Sequence, residues 1–348
     1  MSCFNGPGIA TSGLILHLDA ANRKSFGGVG QERIGNIAPA FNNWGGLVGT
    51  SAAYTGKTGK SGVALSVTTG GGVNYWNSTN GTLACSPSTQ YTITALVRYS
   101  GNTPHPNLFY VRQYNSSAAQ TSESGKYNSA NQIYVGDGFY LTWATFTTDA
   151  TAASFLVQGY EYNTIQLWLE DVQCKLGGLG DISGYGNDHT LLGTPTYTYG
   201  GYTLNGTDAG FTRSSALSGV SSNCTVVLWY STTDTQELWV RGNAINYLYL
   251  SASDSNNYYH ANCGSPTNYV DLATTVRPDS PINYRNGNYH MWEAKGVDFS
   301  GWTSYEWFAY PSGWQMAGSV AAVMVYNRAL SAAESAQNFN ALRSRFGI

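Results

Sequence analysis

Charge is what this chain has least of. Only 11% of its 348 residues are Asp, Glu, Lys or Arg, and 17 basic against 20 acidic residues leave a formal net charge of −3. No basic cluster occurs anywhere, so neither nucleic acid nor an anionic membrane surface is indicated as a partner. No apolar run approaches the roughly 20 residues of a membrane-spanning helix, so no membrane insertion is expected. The opening MSCFNGPGIATS lacks the charged head and apolar stretch of a secretion signal. Cysteine is scarce as well. Cys3, Cys85, Cys174, Cys224 and Cys263 form an odd, scattered set without metal-ligand spacing, which reads as reduced, mostly buried thiols in a chain made in a reducing cytoplasm. Helical periodicity is missing until the last twenty residues.

What the chain does have is 26 Tyr, 10 Trp and 41 Gly, with aromatics at 14%. Low charge can signal disorder, but disordered chains are also poor in aromatics, so this one is read as folded. Tyr-, Thr- and Val-rich segments punctuated by Gly and Asn turns predict an all-β protein. Its length allows one large or two ordinary domains.

Residues 1–12 have no periodicity and are expected to form an arm. GLILHLDAAN (Gly13 to Asn22) is the first strand, apolar on both faces, with His17 read as a core or rim residue and Asp19 and Asn22 as the turn that closes it. Its expected neighbour is far away, in GSVAAVMVYNRALS (Gly318 to Ser331). Between NIAPAFNNWGG (Asn36 to Gly46) and IQLWLEDVQCKLGG (Ile165 to Gly178) lies a run of strand signals. The clearest is YTITALVRYSG, with Tyr91, Ile93, Ala95, Val97 and Tyr99 on one face and Thr92, Thr94, Leu96 and Arg98 on the other. NLFYVRQY, NQIYVGDGFYLTWATFTT and ASFLVQGYEY follow the same style, and 112–131 reads as a long exposed connection. This segment has the size of one β-sandwich. From Leu179 onward, GDISGYGNDHTLLGTPTY, YTLNGTDAGFTRS, CTVVLWYSTT, ELWVRG, YLYLSAS, YHMWEAKGVD and YEWFAYPSG continue the β pattern, with loops expected at 253–269 and 279–289. Only the end is helical. Ser331 and Glu334 make a capping box, Ala336, Phe339, Leu342 and Phe346 form an apolar stripe expected to pack on the sandwich edge, Arg343 and Arg345 suit the helix dipole, and Gly347 is the stop.

GLILHLDAANRKS, DISGYGNDHTLLG, YTLNGTDAGF and the ending GSVAAVMVYNRALSAAESAQNFNALRSRFGI together resemble the laminin-G-like, concanavalin A-like domains of tailed-phage virion proteins. In that family the LDAAN segment soon meets the D-x-S-G-x-G-N turn, whereas here residues 23–180 intervene, so an inserted domain is expected. The insert's ends, NIAPAFNNW and LWLEDVQCKLG, are similar to carbohydrate-binding-module-like jelly rolls. The resemblance therefore implies an all-β chain of two β-sandwich (jelly-roll) domains, one nested in the other, with a short C-terminal helix. The arm would be 1–12, the outer sandwich 13–35 with 178–348, and the inner one 36–177. It also implies a virion structural protein: a capsid decoration protein, a fibre, or a neck or tail appendage. Its partners would be other virion proteins and further copies of itself in a homo-oligomer, and its location the virion. A glycan-binding adhesin that recognises host surface polysaccharide is the alternative.

The chemistry is sparse. Glycoside hydrolysis needs two facing carboxylates. Glu161, Glu170 and Asp171 lie close in sequence, but Glu170 and Asp171 are neighbours on a strand and point to opposite faces, so they read as structural. No G-x-S-x-G elbow supports a Ser-His-Asp site. No catalytic residue is assigned, and the protein is expected not to be an enzyme. No cofactor is expected beyond a structural calcium ion, for which Asp171 is a candidate by resemblance to related jelly rolls. In the outer domain Asp181, Ser183, Asn187 and Asp188 offer hard oxygens over a short Gly-rich turn, although such turns usually bond their own backbone. For glycan or partner binding the candidates are Tyr110, Tyr114, Tyr134, Tyr140 and Trp143, whose rings suit either a sugar face or a protein interface.

Overall fold

The computed structural model describes residues 8–22, 25, 37–44, 49–55, 61–67, 72–78, 81–193, 195–198, 200–234, 236–242, 246–251, 258–274, 285–308 and 316–348. Residues 1–7 of the expected arm, with Cys3, lie outside this set, as do 23–24 and 26–36, where the sequence was expected to leave the outer domain. The chain is all-β, with one α-helix, Ala332–Leu342, among the described residues. It divides into two compact units, one comprising Gly30–Gly177 and the other Cys3–Val29 with Gly178–Ile348.

The first unit is a sandwich of two antiparallel sheets. One has the strand order Gln132–Gly136, Phe139–Thr147, Gln90–Gly101, Ile165–Leu176, Ser61–Val67, Gly49–Thr55. The other has the order Ile37–Trp44, Gly72–Ser78, Ser154–Glu161, Tyr110–Tyr114, Gln120–Gly125, with Leu83–Ala84 paired to Ser154–Glu161. Period-two alternation decides what faces inward. Tyr91, Ile93, Ala95 and Val97 from the first sheet meet Trp76, Val111, Phe155 and Val157 from the second in one buried cluster. Each Val, Ile or Phe side chain so taken from water contributes roughly 1.5–3 kcal/mol. The Trp76 indole donates to the Leu108 carbonyl at 3.3 Å, so its one polar atom is satisfied inside the core.

Two features of this unit differ from the sequence expectation. Residues 112–131 are not simply a connection, because Gln120–Gly125 pairs with Tyr110–Tyr114 as an edge strand. A strand of Gln, Thr, Ser, Glu, Ser and Gly has no apolar face to announce it. Glu170 and Asp171 are not regular strand neighbours either. Asp171 has φ +50, and the pairing register slips between Glu170 and Gln173, so a bulge separates the two carboxylates.

In the second unit, the opening strand Leu14–Asp19 pairs antiparallel with the last strand, Ala317–Tyr326, from Leu14 opposite Tyr326 to Asp19 opposite Ala322. That last strand also pairs with Gly201–Asn205 and Cys224–Thr232, and the sheet continues through Tyr289–Val297 and Gly264–Val270. A second sheet runs through Gly178–Leu179, His189–Leu192, Gly210–Arg213, Tyr305–Trp307, Gln236–Arg241, Tyr247–Ser251 and Tyr258–Ala261. Tyr258–Ala261 and Gly264–Val270 are strands where only loop was expected. The capping box at the helix start is present, with Ser331 and Glu334 bonded reciprocally.

The helix packs on a sheet face, not on an edge. Phe339 stacks on Trp229 at 5.8 Å, and Phe346 beyond the helix stacks on Trp229 at 4.9 Å and on Tyr289 at 4.3 Å. The helix residues sunk furthest are polar ones, Ser335 and Asn338, together with Leu342. Asn338 Oδ1 accepts from the Ala10 amide and the Tyr326 hydroxyl, and Ser335 Oγ donates to Glu293. Arg345 does more than suit a dipole: it grips Asp19 with two bonds, 2.7 and 3.0 Å, and so ties the chain's end to its opening strand.

His189 is wholly buried at the start of its strand. The Trp307 indole can only donate, so His189 Nε2 accepts from it at 3.0 Å. The ring's proton is therefore on Nδ1, 2.9 Å from the Asn187 carbonyl. Burial holds the imidazole neutral and lowers its pKa to about 3.

Candidate carbohydrate-binding face

The five-residue strand Tyr110-Val111-Arg112-Gln113-Tyr114 carries the site. Val111 and Gln113 turn inward and are buried, so Tyr110, Arg112 and Tyr114 stand together on the outward face, each half-buried. Register brings the rest. On one side Tyr114 lies opposite Ser154, Arg112 opposite Leu156 and Tyr110 opposite Gln158, with Tyr160 next along that strand's outward face. On the other side Arg112 lies opposite Glu123.

These side chains are locked to one another. Arg112 Nε donates to Glu123 Oε2 at 3.0 Å, and Nη2 donates to the Tyr160 hydroxyl at 3.2 Å. Gln158 Nε2 donates to the same hydroxyl at 3.0 Å. The Tyr110 ring meets Tyr160 edge-on at 5.0 Å, and the guanidinium sits 5.5 Å from the Tyr110 centroid and 5.8 Å from that of Tyr160. Tyr160 and Gln158, only 7% and 3% exposed, form the floor. Burial, then the hydrogen bond and charge of Glu123, push the Tyr110 hydroxyl up to about 12, so it stays a neutral donor at any physiological pH. Aromatic rings and a few polar groups, held in place before any ligand arrives, are what a selective small-ligand or sugar surface requires.

Of the residues singled out in the sequence, Tyr110 and Tyr114 lie on this face. Tyr134 and Tyr140 belong to the other sheet, in the hairpin of Gln132–Gly136 and Phe139–Thr147. There Tyr99, Tyr140 and Tyr134 form a row at 5.7 and 5.6 Å, and Tyr134 is 59% exposed. Trp143 joins neither group, because it is buried opposite Thr94 and offers no ring face. Arg112, Glu123, Gln158 and Tyr160 were not anticipated. The alternation in YVRQY was a signal for Arg112, but the other three depend on strand pairing.

Of the calcium candidates, Asp181 has both carboxylate oxygens already taken by donors. Asp181 Oδ1 accepts from the amides of His17 and Ser183, and Oδ2 accepts from the Ser183 hydroxyl and the Asn187 amide, at 2.8–2.9 Å. Asp188 Oδ1 accepts from the Asp181 amide at 2.7 Å. Asn187 is turned onto backbone, with Nδ2 donating to Ile15 and Ser218 carbonyls and Oδ1 accepting from the Ser218 amide. Each Asp181 oxygen thus faces two N–H or O–H donors, which a cation there would have to displace. Asp171 Oδ1 accepts from Gln173 Nε2 at 2.9 Å. Among the described residues no group of three or more His, Cys, Asp or Glu could hold a metal ion.

Glu161 lies on the opposite face of its strand from Tyr160, buried, with its carboxylate accepting from the amides of His105, Tyr162 and Asn163. Burial raises its pKa in spite of those bonds. Glu170 is buried in the other sheet. Cys85 is half-buried, and Cys174, Cys224 and Cys263 are buried. No described helix is long and apolar enough to cross a membrane.

No family model and no curated protein matches this chain. Among solved structures it is similar to the enzymatically active domain of bacteriophage CBA120 tailspike protein 4, at 16% identity and a TM-score of 0.30, over 46% of this chain and 21% of that one. It is also similar to the CBM22-1–CBM22-2 tandem domain of Paenibacillus barcinonensis Xyn10C, at 14% identity and TM-score 0.29 over 93% of each chain. The CBM22-1 xylan-binding domain of the same protein aligns at 15% identity and TM-score 0.28, over 48% of this chain and 97% of that one. The chain thus spans about a fifth of the tailspike domain's length. At these TM-scores the likenesses carry no functional argument.

Proposed function

We propose that the Gly30–Gly177 unit binds a carbohydrate through the outward face built on Tyr110, Arg112, Tyr114, Gln158 and Tyr160. The observation that carries this reading is the fixing of Arg112, Gln158 and Tyr160 by mutual hydrogen bonds beside the Tyr110 ring. A sugar offers an apolar ring face to an aromatic side chain and hydroxyls to amides and guanidinium, and this face has both. The unit is proposed to bind without cleaving. Hydrolysis needs two carboxylates flanking the bond, and the pairing of Tyr110–Tyr114 with its two neighbouring strands sets a single carboxylate, Glu123, directly opposite its outward residues. In keeping with the sequence resemblance, the chain is proposed to be a virion component that presents this unit to a host surface glycan. A contact with other virion proteins is favoured separately by the exposed Tyr134 and Val135 on the edge strand Gln132–Gly136.

The test is native affinity electrophoresis and calorimetry of the full chain against soluble polysaccharides and host surface polysaccharide. Tyr110→Ala should weaken binding by roughly thirtyfold, about 2 kcal/mol. Binding that is indifferent to Tyr110→Ala and Arg112→Ala, or absent from every polysaccharide, would sink the proposal.

A further inference from the structure

The glycan proposal leaves the ligand's charge open, and one pair of side chains decides it. Arg112 is the one described cation that register places on this face, and isolated it would attract a uronate or another acidic sugar. It is not isolated. Glu123 lies opposite it on the edge strand and takes its Nε–H at 3.0 Å. Arg112 Nη2 is directed to Tyr160. Among the described residues, register thus places one positive and one negative charge in contact on this face. A ligand carboxylate approaching the guanidinium would come close to Glu123, where like charge repels it. Hydroxyl groups pay no such penalty.

Resting on the carbohydrate reading, we infer that Glu123 is a specificity-determining residue that makes this face select uncharged polysaccharide and reject acidic polysaccharide. The pair is partly exposed, with side-chain exposures of 26% for Arg112 and 40% for Glu123, so it is reachable by a ligand. The same exposure makes Glu123→Gln a substitution the sandwich core does not feel. Gln keeps the shape and a hydrogen-bond acceptor while removing the charge.

The experiment compares the full-length protein with its Glu123→Gln and Glu123→Gln/Arg112→Gln variants. Probes are uncharged polymers (xylan, mixed-linkage glucan, galactomannan) and uronate polymers (polygalacturonate, alginate, hyaluronate), each at low and high salt. The unsubstituted protein should bind at least one uncharged polymer and no uronate polymer. Glu123→Gln should gain uronate binding by at least about tenfold, suppressed by salt, and the double variant should lose that gain. Uronate binding by the unsubstituted protein, or no gain in Glu123→Gln while uncharged polymers still bind, overturns the role of Glu123 and leaves the carbohydrate reading standing. Binding to neither class removes both.

Discussion

Replacing His189 by Gln should flatten the acid side of the stability profile. In the folded chain burial holds the imidazole pKa at about 3 against an ordinary value of 6.5. The sign follows from proton counting: between these values the unfolded state binds a proton that the folded state refuses, so stability falls as pH falls. The contribution is intact above pH 6.5 and is lost at about 1.4 kcal/mol per pH unit down to about pH 3. Between pH 7 and pH 4.5 that amounts to roughly 2–3 kcal/mol from this one ring. Gln cannot titrate, yet its carbonyl can accept from the Trp307 indole and its amide can donate to the Asn187 carbonyl. The assay is urea unfolding of both proteins followed by tryptophan fluorescence at a series of pH values. His189→Gln is expected to be less stable at neutral pH, and that offset is immaterial because the two slopes are compared. Other titrating groups are common to both proteins and cancel in the difference. Parallel profiles, or an imidazolium signal from His189 in nuclear magnetic resonance at pH 5, would refute the buried neutral assignment.

Asp181→Ala removes the acceptor for three amides and a hydroxyl, and should cost about 3 kcal/mol in chemical denaturation; a loss under about 1 kcal/mol would mean that the turn holds itself. Because those oxygens are already bonded, neither a chelator nor added calcium should move the melting temperature, and a reproducible shift with calcium would show a site in the described turn after all. Arg345→Ala leaves Asp19 buried without its partner and should destabilise by roughly 2 kcal/mol, less than a fully buried pair would lose, since 15% of the Arg345 side chain is exposed. The Arg328 and Ser331 bonds hold the Glu334 carboxylate down at about 2. Its contribution is present above the ordinary value of 4.5 and lost as pH falls through about 2, so amide exchange in Ala332–Leu342 should stay protected at pH 4; early fraying there would contradict the cap.

The all-β class was legible because it depends on local signals. Alternation in YTITALVRYSG and apolar runs in the opening and closing strands report which faces avoid water, wherever their partners lie. The capping box was legible for the same reason, since its two residues are three apart and bond each other. The capping helix's buried side was not: Ser335 and Asn338 stand outside its apolar stripe, and their burial depends on Glu293, Tyr326 and Ala10 being brought beneath them.

The candidate site divides along the same line. Tyr110 and Tyr114 stand out as aromatics in a short strand, and alternation alone puts Arg112 between them. Glu123 comes from a strand with no apolar pattern, and Gln158 and Tyr160 from a third strand, so their meeting with Arg112 is a matter of register. Tyr134, Tyr140 and Trp143 have the same composition as the site residues but belong to the opposite sheet. The oxygens of Asp181, Asn187 and Asp188 could be counted in the sequence, but the donors that occupy them include the His17 amide from the opening strand and the Ser218 amide from another loop. By itself, the sequence determined which segments must be strands and which end must be a helix, because burial and capping act within a few residues. Only the tertiary structure decided which rings, charges and oxygens share a surface, because hydrogen bonding and electrostatics depend on distances in space that chain separation does not set.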